Sequence, residues 1–272
     1  MLQRIEGVVL EIIKYNDKNN VVVLYTRSHG RMSFIVPIGK SKSGKMRNAV
    51  LSLMAVVTTD INITSGKELY NLRNVQPARL WHRIYSHPVK CSLLFFIAEF
   101  CGRIARQYPP DEKFWLFLIH SLEILDSLPS DNIASFHIAF LIELLPIMGI
   151  RPMVESWEAG DCFDMVKGEM TRPEKIVFNR SKAMIPPEES LYIPLLLRMR
   201  YGNMKAFRLN QSQRRTLLDR ILEYYTVHLP LGGDLKTLPV LRELFSSKGR
   251  GTLSAEQRYD SEQYTRRQTH PR

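Results

Sequence analysis

A glycine and lysine pattern typical of phosphate-binding loops lies near the start of the chain. Gly39, Gly44 and Lys45 have the spacing G-x-x-x-x-G-K, and the residues that follow are compatible with a helix. In a nucleotide-binding loop of this kind the next residue is Ser or Thr, because its hydroxyl binds Mg²⁺. Met46 occupies that position and offers no oxygen. The pattern therefore indicates either a nucleotide site that lacks one ligand or a basic loop for a longer phosphate chain.

The surrounding residues favour the basic loop. A nucleotide-dependent enzyme built on Gly44 and Lys45 would need a doubly wound α/β domain, and only a few residues separate Lys45 from the next strand-like run. Loops between barrel strands that combine Lys or Arg with Gly and Ser can follow a phosphate backbone without reading bases. A merely solvated loop is the alternative. Six basic residues and no acidic one lie in this part of the chain: Arg27, Arg31, Lys40, Lys42, Lys45 and Arg47.

A second basic segment lies near the C-terminus. The net charge of +11 is divided as +7 over residues 1–80, −4 over 81–197 and +8 over 198–272. Such asymmetry indicates ends that bind a polyanion. The segment could extend a phosphate-binding track or form a solvated charged edge. Its secondary candidate residues are Arg198, Arg200, Lys205, Arg208, Arg214 and Arg215.

Other chemistry has little support in the sequence. Three cysteines, Cys91, Cys101 and Cys162, are too few for a disulfide framework and indicate a reducing compartment, so we expect a cytoplasmic protein. No H-E-x-x-H or G-x-S-x-G motif occurs. We therefore expect no catalytic group, no metal and no cofactor. The apolar run Ile133–Ile150 is interrupted by His, Glu and Pro, which favours a buried helix over a membrane span.

The order of predicted elements gives an α+β fold class. Over residues 1–80, five strand-like runs, the first two rich in Val and Ile, are separated by short turns such as "NDKNN". This predicts an oligonucleotide-binding (OB) β-barrel, with an SH3-like barrel as the second candidate. Residues 81–245 predict an all-helical domain, interrupted by an irregular insertion with a short hairpin at 151–187. The polar residues 246–272 predict a disordered tail.

Local signals predict where three of the helices begin. Asp111 follows Pro-Pro and can cap a helix, and "NQSQ" at Asn210 resembles a capping box. The apolar run is predicted to begin its helix at Ser130 or Asp131 and to end near Gly149. Four aromatic residues of the barrel could stack with bases: Tyr15, Tyr25, Phe34 and Tyr70. Phe34 lies in an apolar strand and is more typical of a core position.

The order and spacing of several segments resemble the bacterial RecO family of recombination mediators. These segments are "GVVLEIIKYNDKNNVVVLYTRSHGRMSFIV", the basic "GKSKSGKMRNAVLSLMAVV", "LLPIMGIRP" and "ILEYYTVHLPLGGDLKTLPVLRELF". The resemblance extends to about Phe245 and implies an OB barrel followed by an all-helical domain. It also implies DNA contact at Lys40, Lys42, Lys45 and Arg47, and less directly at Arg27 and Arg31.

The resemblance further implies a non-enzymatic function in DNA repair. Such proteins bind single- and double-stranded DNA, anneal complementary strands, interact with single-strand-binding protein and RecR, and help to load RecA. Many members have a four-cysteine zinc site after the segment that matches "LLPIMGIRP". This chain retains only Cys162 there, so we expect the insertion to be held by packing around Trp157 and Phe163. The alternative function is that of an RNA-binding OB-barrel protein in ribosome assembly or transcription.

Overall fold

The computed structural model describes residues 2–39, 44, 48–64, 66–129, 133–155, 157–175 and 183–245. Strands occupy most of the first 79 residues, and the described residues that follow form helices and one small sheet. The predicted tail at residues 246–272 lies outside the described range. The α+β class that the sequence predicts is confirmed.

The N-terminal strands form one sheet that closes into a barrel. Its order is β5-β3-β2-β1-β4-β6, and neighbours are antiparallel except β3 and β5. Only Leu72 separates β5 from β6, so this last stretch of chain pairs with β3 at its start and with β4 at its end. With β5 and β6 counted as one strand, this is the five-stranded barrel of the OB fold. The strands are β1 Leu2–Lys14, β2 Asn19–Thr26, β3 Gly30–Pro37, β4 Val56–Asn62, β5 Leu69–Asn71 and β6 Arg73–Arg79.

Two tight turns set the register of the first three strands. In the predicted turn "NDKNN", the side chain of Asn16 accepts hydrogen bonds from the backbone N–H groups of Lys18 (2.9 Å) and Asn19 (2.8 Å). In the second turn Gly30 has φ +65°, a left-handed conformation that favours glycine. The hydroxyl of Thr26 donates to the Gly30 carbonyl at 2.8 Å. Side-chain and glycine chemistry therefore fix these hairpins locally.

Both faces of β1 and β2 are buried, because successive side chains of a strand point to opposite sides. Val22 and Leu24 point into the barrel and belong to its own core. Val8, Leu10 and Tyr25 point outward and belong to a larger core shared with the helices. The two strands therefore separate the barrel's own core from a second core that the barrel shares with the helices.

Tyr25 is the main polar and aromatic link across this junction. Its ring packs edge-on against Phe114 (centroids 5.1 Å apart) and stacks with Trp115 (6.4 Å). The backbone N–H of Asp111 donates to the Tyr25 hydroxyl at 3.0 Å. Burial is the main cause of the raised pKa of Tyr25. Because a buried phenol needs a hydrogen-bond partner, this contact fixes the approach of the following helix to the barrel.

The helices of the C-terminal part pack around this shared core. Asp111 caps the helix Glu112–Ser127 (α3), its side chain accepting from the Phe114 N–H at 2.7 Å, and Asn210 and Gln213 form a capping box at the start of Gln211–His228 (α7). Both predicted caps are confirmed. The helices are α1 His82–Tyr85, α2 Pro88–Gln107, α3 Glu112–Ser127, α4 Phe136–Leu144, α5 Pro187–Ser190, α6 Ile193–Leu196, α7 Gln211–His228 and α8 Leu238–Leu244.

The apolar helix α4 is shorter than the sequence predicts. It begins at Phe136 after a turn in which the Phe136 N–H donates to the Ile133 carbonyl at 3.0 Å, and it ends before Pro146, which cannot donate to the helix. The predicted start, Ser130 or Asp131, lies outside the described residues, and the described helix begins later, after a turn in which Ile133 is as buried as the helix itself. None of the described helices combines the length and apolar character that crossing a bilayer requires.

The insertion at 151–187 contains a small sheet with the order β8-β7-β9. Its strands are β7 Cys162–Asp164, β8 Glu169–Thr171 and β9 Met184–Ile185. Phe163 is buried against Tyr224 of α7, with ring centroids 5.7 Å apart. The hydroxyl of Ser190 accepts from the Phe163 N–H (2.9 Å) and donates to the Ile185 carbonyl (2.8 Å). Apolar packing and this buried hydroxyl therefore connect the insertion to the helices.

A partly buried ion pair fixes the chain before α8. Glu99 accepts hydrogen bonds from the backbone N–H groups of Lys236 and Thr237, both at 2.9 Å, and from Arg103 at 2.7 Å. Burial alone would raise the pKa of Glu99, but these hydrogen bonds bring it below its ordinary value. Gly232 and Gly233 have φ of +61° and +57°, and this lets their carbonyls turn toward Arg103. The segment "LGGDLKT" therefore serves to bind Glu99 and Arg103 through its backbone.

His137 of α4 is a buried histidine that is neutral at physiological pH. Its ring stacks with Phe245 (centroids 5.2 Å apart) and lies edge-on to Phe96 at 6.4 Å. Its Nδ1 atom has no hydrogen-bond partner among the described residues. Burial, and to a lesser extent the charge of Arg214, lowers the pKa of His137 to about 3. This side chain therefore belongs to the apolar core and opposes folding in acid.

We expect the substitution His137→Leu to make folding less sensitive to acid. As pH falls below 6.5, the ordinary pKa of histidine, the unfolded chain takes up a proton at His137, whereas the folded chain does so only near pH 3. At pH 5 this difference costs the wild type about 2 kcal/mol, from ~1.4 kcal/mol per pH unit. Urea unfolding at pH 8 and pH 5 measures the loss, which should shrink by about this amount in the variant. The exposed His120, changed to Leu, is the control, and an equal loss in H137L and the wild type would contradict the prediction.

Candidate nucleic-acid interface

The two glycines of the G-x-x-x-x-G pattern close a loop at the end of β3. Their backbones pass so near each other that a Cβ atom on either Gly39 or Gly44 would overlap the other residue. Glycine is therefore required at both positions for a steric reason. The chain then returns to the barrel as β4, which is antiparallel to β1, and this differs from the parallel sheet around a nucleotide-binding loop. The spacing is explained by loop closure.

The four loop cations Lys40, Lys42, Lys45 and Arg47 lie outside the described residues. The residues just before the loop are described, and the N–H of Ile38 donates to the Lys18 carbonyl at 2.7 Å. This end of the barrel therefore also carries the β1–β2 turn, with Lys18 and Tyr15. Of the four aromatic candidates, Tyr25, Phe34 and Tyr70 are buried. Tyr15 is 62% exposed, so its ring can stack with a base beside the loop.

Arg27 is engaged by a carboxylate of the helical region. Its guanidinium donates through Nε to both oxygens of Glu112, at 3.1 and 3.0 Å, and through a terminal nitrogen to the same group. This hydrogen bond raises the pKa of Arg27 and lowers the pKa of Glu112. Both side chains are about half exposed. A phosphate at Arg27 would therefore compete with a carboxylate that is already in place.

Arg31 lies at the start of β3, opposite Tyr25 in the register, and is half-buried. Its Nε atom has no hydrogen-bond partner in the part of the chain that is described. Six residue steps separate Arg31 from Pro37, which is about 20 Å at ~3.3 Å per residue. Arg27 and Arg31 are therefore at the far end of β3 from the glycine-closed loop, and they do not share a contiguous patch with it along this strand.

The second basic segment offers several unpaired cations. Arg200 folds back onto the carbonyls of Leu197 (2.9 Å) and Met199 (2.7 Å), and Arg214 donates to the Leu209 carbonyl. The other four side chains are exposed and form no ion pair with any described residue: Arg198, Lys205, Arg208 and Arg215.

Helix α3 lies between this segment and the barrel. Glu112 and Glu123 reach from one face of α3 to Arg27 and Arg79 of the barrel. Ser121 is on the opposite face and accepts a hydrogen bond from the Tyr201 hydroxyl at 2.7 Å. The basic segment that includes Tyr201 is therefore a second surface, not a direct continuation of the barrel loop.

Residues for metal or covalent chemistry do not cluster in the described ranges. No group of three or more His, Cys, Asp or Glu side chains there could hold a metal ion. Cys162 is buried in β7, and burial is the main cause of its raised pKa. Burial also raises the pKa of Cys91. These thiols have the environment of structural cysteines.

Two family models together match nearly all of the chain from residue 1 to residue 239. Residues 1–81 match the model described as Recombination protein O N terminal, and residues 86–239 match Recombination protein O C terminal. The chain belongs to the RecO family. The resemblance that the sequence motifs indicate is confirmed, and the boundary between the two matches falls just after β6.

Individual members of the RecO family agree over the same length. The DNA repair protein RecO of Bacteroides fragilis is 33% identical over 247 residues, which cover 90% of this chain and all of that protein. The DNA repair protein RecO of Phocaeicola vulgatus is 30% identical over 246 residues, again 90% and 100%. That of Porphyromonas gingivalis is 33% identical over 250 residues, or 88% and 97%.

We expect Glu112→Gln to strengthen binding of single-stranded DNA. The substitution removes the carboxylate that occupies Arg27 and leaves its guanidinium available for a phosphate. If that contact forms, the log–log salt slope steepens by about 0.7. Fluorescence anisotropy with a thymidine oligonucleotide at several salt concentrations measures this slope. The control is Glu123→Gln, which breaks the matching pair with Arg79 on the same helix. Wild-type affinity in E112Q would remove Arg27 from the interface, and equal gains in both variants would indicate a net-charge effect.

Proposed function

We propose that this RecO-family chain is a DNA-binding recombination mediator that acts in DNA repair without enzymatic chemistry of its own. The observation that carries the proposal is the basic, glycine-closed loop on an OB barrel, in a chain whose relatives are named DNA repair proteins. An OB barrel with such a loop can hold single strands by their backbone and by stacking.

The proposed binding mode uses one end of the barrel. The strand passes along the loop, where Lys40, Lys42, Lys45 and Arg47 neutralise successive phosphates, and a base stacks on the exposed Tyr15 next to Lys18. Phosphate contacts of this type carry no sequence information and are weakened by salt. Binding is therefore expected to be independent of sequence, which suits a protein that acts wherever DNA is damaged.

Annealing follows from the same charges. Two complementary strands repel each other, and a protein with two separate basic surfaces can reduce that repulsion while pairing is found. The loop and the exposed cations Arg198, Lys205, Arg208 and Arg215 supply two such surfaces on different sides of α3. The proposed ligands are single- and double-stranded DNA. No nucleotide, metal or other cofactor takes part.

The proposed partners extend this activity to strands that are already covered. Single-strand-binding protein coats DNA, and the mediator, together with RecR, gives RecA access to it. These partners are proposed from the family, because members of the RecO family act in this way. Cytoplasmic action is proposed with them, consistent with three unpaired cysteines.

We expect replacement of Lys40, Lys42, Lys45 and Arg47 by Ala to flatten the salt dependence of single-stranded DNA binding. If each side chain meets one phosphate, the log–log slope falls by roughly three units, at about 0.7 per contact. Anisotropy titrations between low and moderate salt measure the slope.

The matched control removes the same number of positive charges from the other surface, by changing Arg198, Lys205, Arg208 and Arg215 to Ala. An unchanged slope in the loop variant, with a reduced slope in this control, would move the primary DNA surface to the C-terminal segment. Tighter binding of an RNA of equal length would instead favour the RNA-binding alternative.

We expect annealing by the purified protein to need no nucleotide. Because the proposed step depends on phosphate neutralisation alone, the rate should fall with salt and stay the same with or without ATP and Mg²⁺. Quenching between complementary oligonucleotides labelled with a fluorophore and a quencher measures the rate. Annealing that requires ATP hydrolysis by this protein alone would refute the proposal.

A further inference from the structure

A positively lined cavity lies where α1 and α2 meet the end of α3. It has a volume of about 400 Å³ and is open to solvent. Three of its lining side chains are basic, Arg83, His87 and Lys90, and two others are the hydroxyls of Ser86 and Ser127. No carboxylate lines it among the described residues. Neither the barrel loop nor the C-terminal basic segment includes any of these residues.

Lys90 gives this cavity a buried and incompletely satisfied cation. The residue is only 3% exposed, yet no carboxylate of the described residues lies within the 4.0 Å of an ion pair. Its ammonium donates to the backbone carbonyl of Asp126 at 2.8 Å, while the Asp126 carboxylate accepts from the Ile84 N–H at 2.9 Å. An ammonium has three donors and no acceptor. Burial lowers the pKa of Lys90, an effect that the nearby Asp126 charge partly offsets, and an anion in the cavity would offset it further.

The start of α2 adds donors on the same wall. His87 precedes the helix, and its Nδ1 atom is buried with no hydrogen-bond partner in the described part of the chain. The helix has no side-chain cap and no acidic residue in its first turn. Free N–H groups and the helix dipole favour an anion at such an end. Lys90 and His87 are thus two independent polar groups without a full set of partners in one cavity.

The cavity also lies near the return of the barrel loop. The hydroxyl of Tyr85 donates to the Leu53 carbonyl at 2.8 Å, and the indole N–H of Trp81 donates to the Met54 carbonyl at 2.7 Å. Residues 53 and 54 follow the basic loop and its short helical return at 48–50. Helix α1, whose Arg83 lines the cavity, is therefore attached to the chain segment that follows the loop.

We propose that the Arg83, His87 and Lys90 cavity binds a phosphate group, and that this group is a backbone phosphate of the DNA strand held by the barrel. The planar guanidinium of Arg83 at the mouth suits two phosphate oxygens, and Lys90 supplies a point charge at the base. The inference rests on the proposed function, since the DNA strand is its ligand.

The test uses the full-length protein with Arg83→Gln, Lys90→Met and, as control, Arg151→Gln. Arg83 is exposed, and its guanidinium is no closer than 3.5 Å to the Ser127 carbonyl, so R83Q should fold normally. Arg151 is equally exposed and lies outside the cavity. Anisotropy with a thymidine oligonucleotide gives the salt slope. We expect R83Q to lose about 0.7 of slope, about fivefold in affinity at 0.1 M salt, and R151Q to behave as wild type.

A second measurement separates DNA from free phosphate. Thermal melting of the wild type and variants is followed in inorganic phosphate against chloride of equal ionic strength. Phosphate stabilises proteins in general through exclusion from their surface. The relevant quantity is therefore how much less phosphate raises the melting temperature of R83Q and K90M than that of the wild type. We expect a smaller rise in both. Equal stabilisation of all four proteins would overturn the phosphate site.

The two arms also distinguish this inference from the proposed function. Wild-type slope and affinity in R83Q would overturn the assignment to DNA, and a retained phosphate effect would then identify free phosphate as the ligand. A wild-type protein that binds no single-stranded DNA would refute the proposed function instead, whatever the phosphate arm shows. If K90M fails to fold, R83Q alone decides the result.

Discussion

Burial of β1 and β2 on both faces is the constraint on which the rest of the structure depends. One face closes the barrel core through Val22 and Leu24, and the other joins the helical core through Val8, Leu10 and Tyr25. Burial of apolar surface on each face stabilises the fold by about 25 cal/mol per Å². Separating the barrel from the helices would therefore expose apolar surface on both. The barrel is thus fixed against α3 by apolar burial on the outer face of its strands.

This shared core also explains how the charges are distributed. The region at 81–197 has a net charge of −4, but several of its carboxylates face the barrel. Glu112 and Glu123 of α3 pair with Arg27 and Arg79. In a third pair the barrel supplies the carboxylate: Glu11 of β1 accepts a hydrogen bond from Arg106 of α2 at 2.7 Å. Carboxylates of α3 therefore neutralise barrel cations at the junction, whereas the exposed Arg198, Lys205, Arg208 and Arg215 form no ion pair with a described residue.

The sequence predicted most of the fold because its signals are local. The Asn16 turn, the Asp111 cap and the Asn210 capping box each depend on residues within a few positions of one another. The unbroken run Val21–Tyr25 also indicates a strand buried on both sides. The pairing of Arg27 with Glu112 could not be predicted, since the partners are 85 residues apart. The beginning of the described helix at Phe136 could not be predicted, because the turn before it is buried as deeply as the helix, so the apolar pattern has no boundary there.

The two glycines show why a motif needs its three-dimensional context. Gly39 and Gly44 match a phosphate-binding loop by spacing, yet their backbones meet each other, and β4 then enters an antiparallel barrel. A nucleotide-binding loop uses glycine so that backbone N–H groups can surround one phosphate group of a nucleotide. Here glycine lets the backbones at positions 39 and 44 approach each other closely. The same spacing of glycines can therefore arise from two different steric requirements, and the contact between Gly39 and Gly44 identifies the one that applies here.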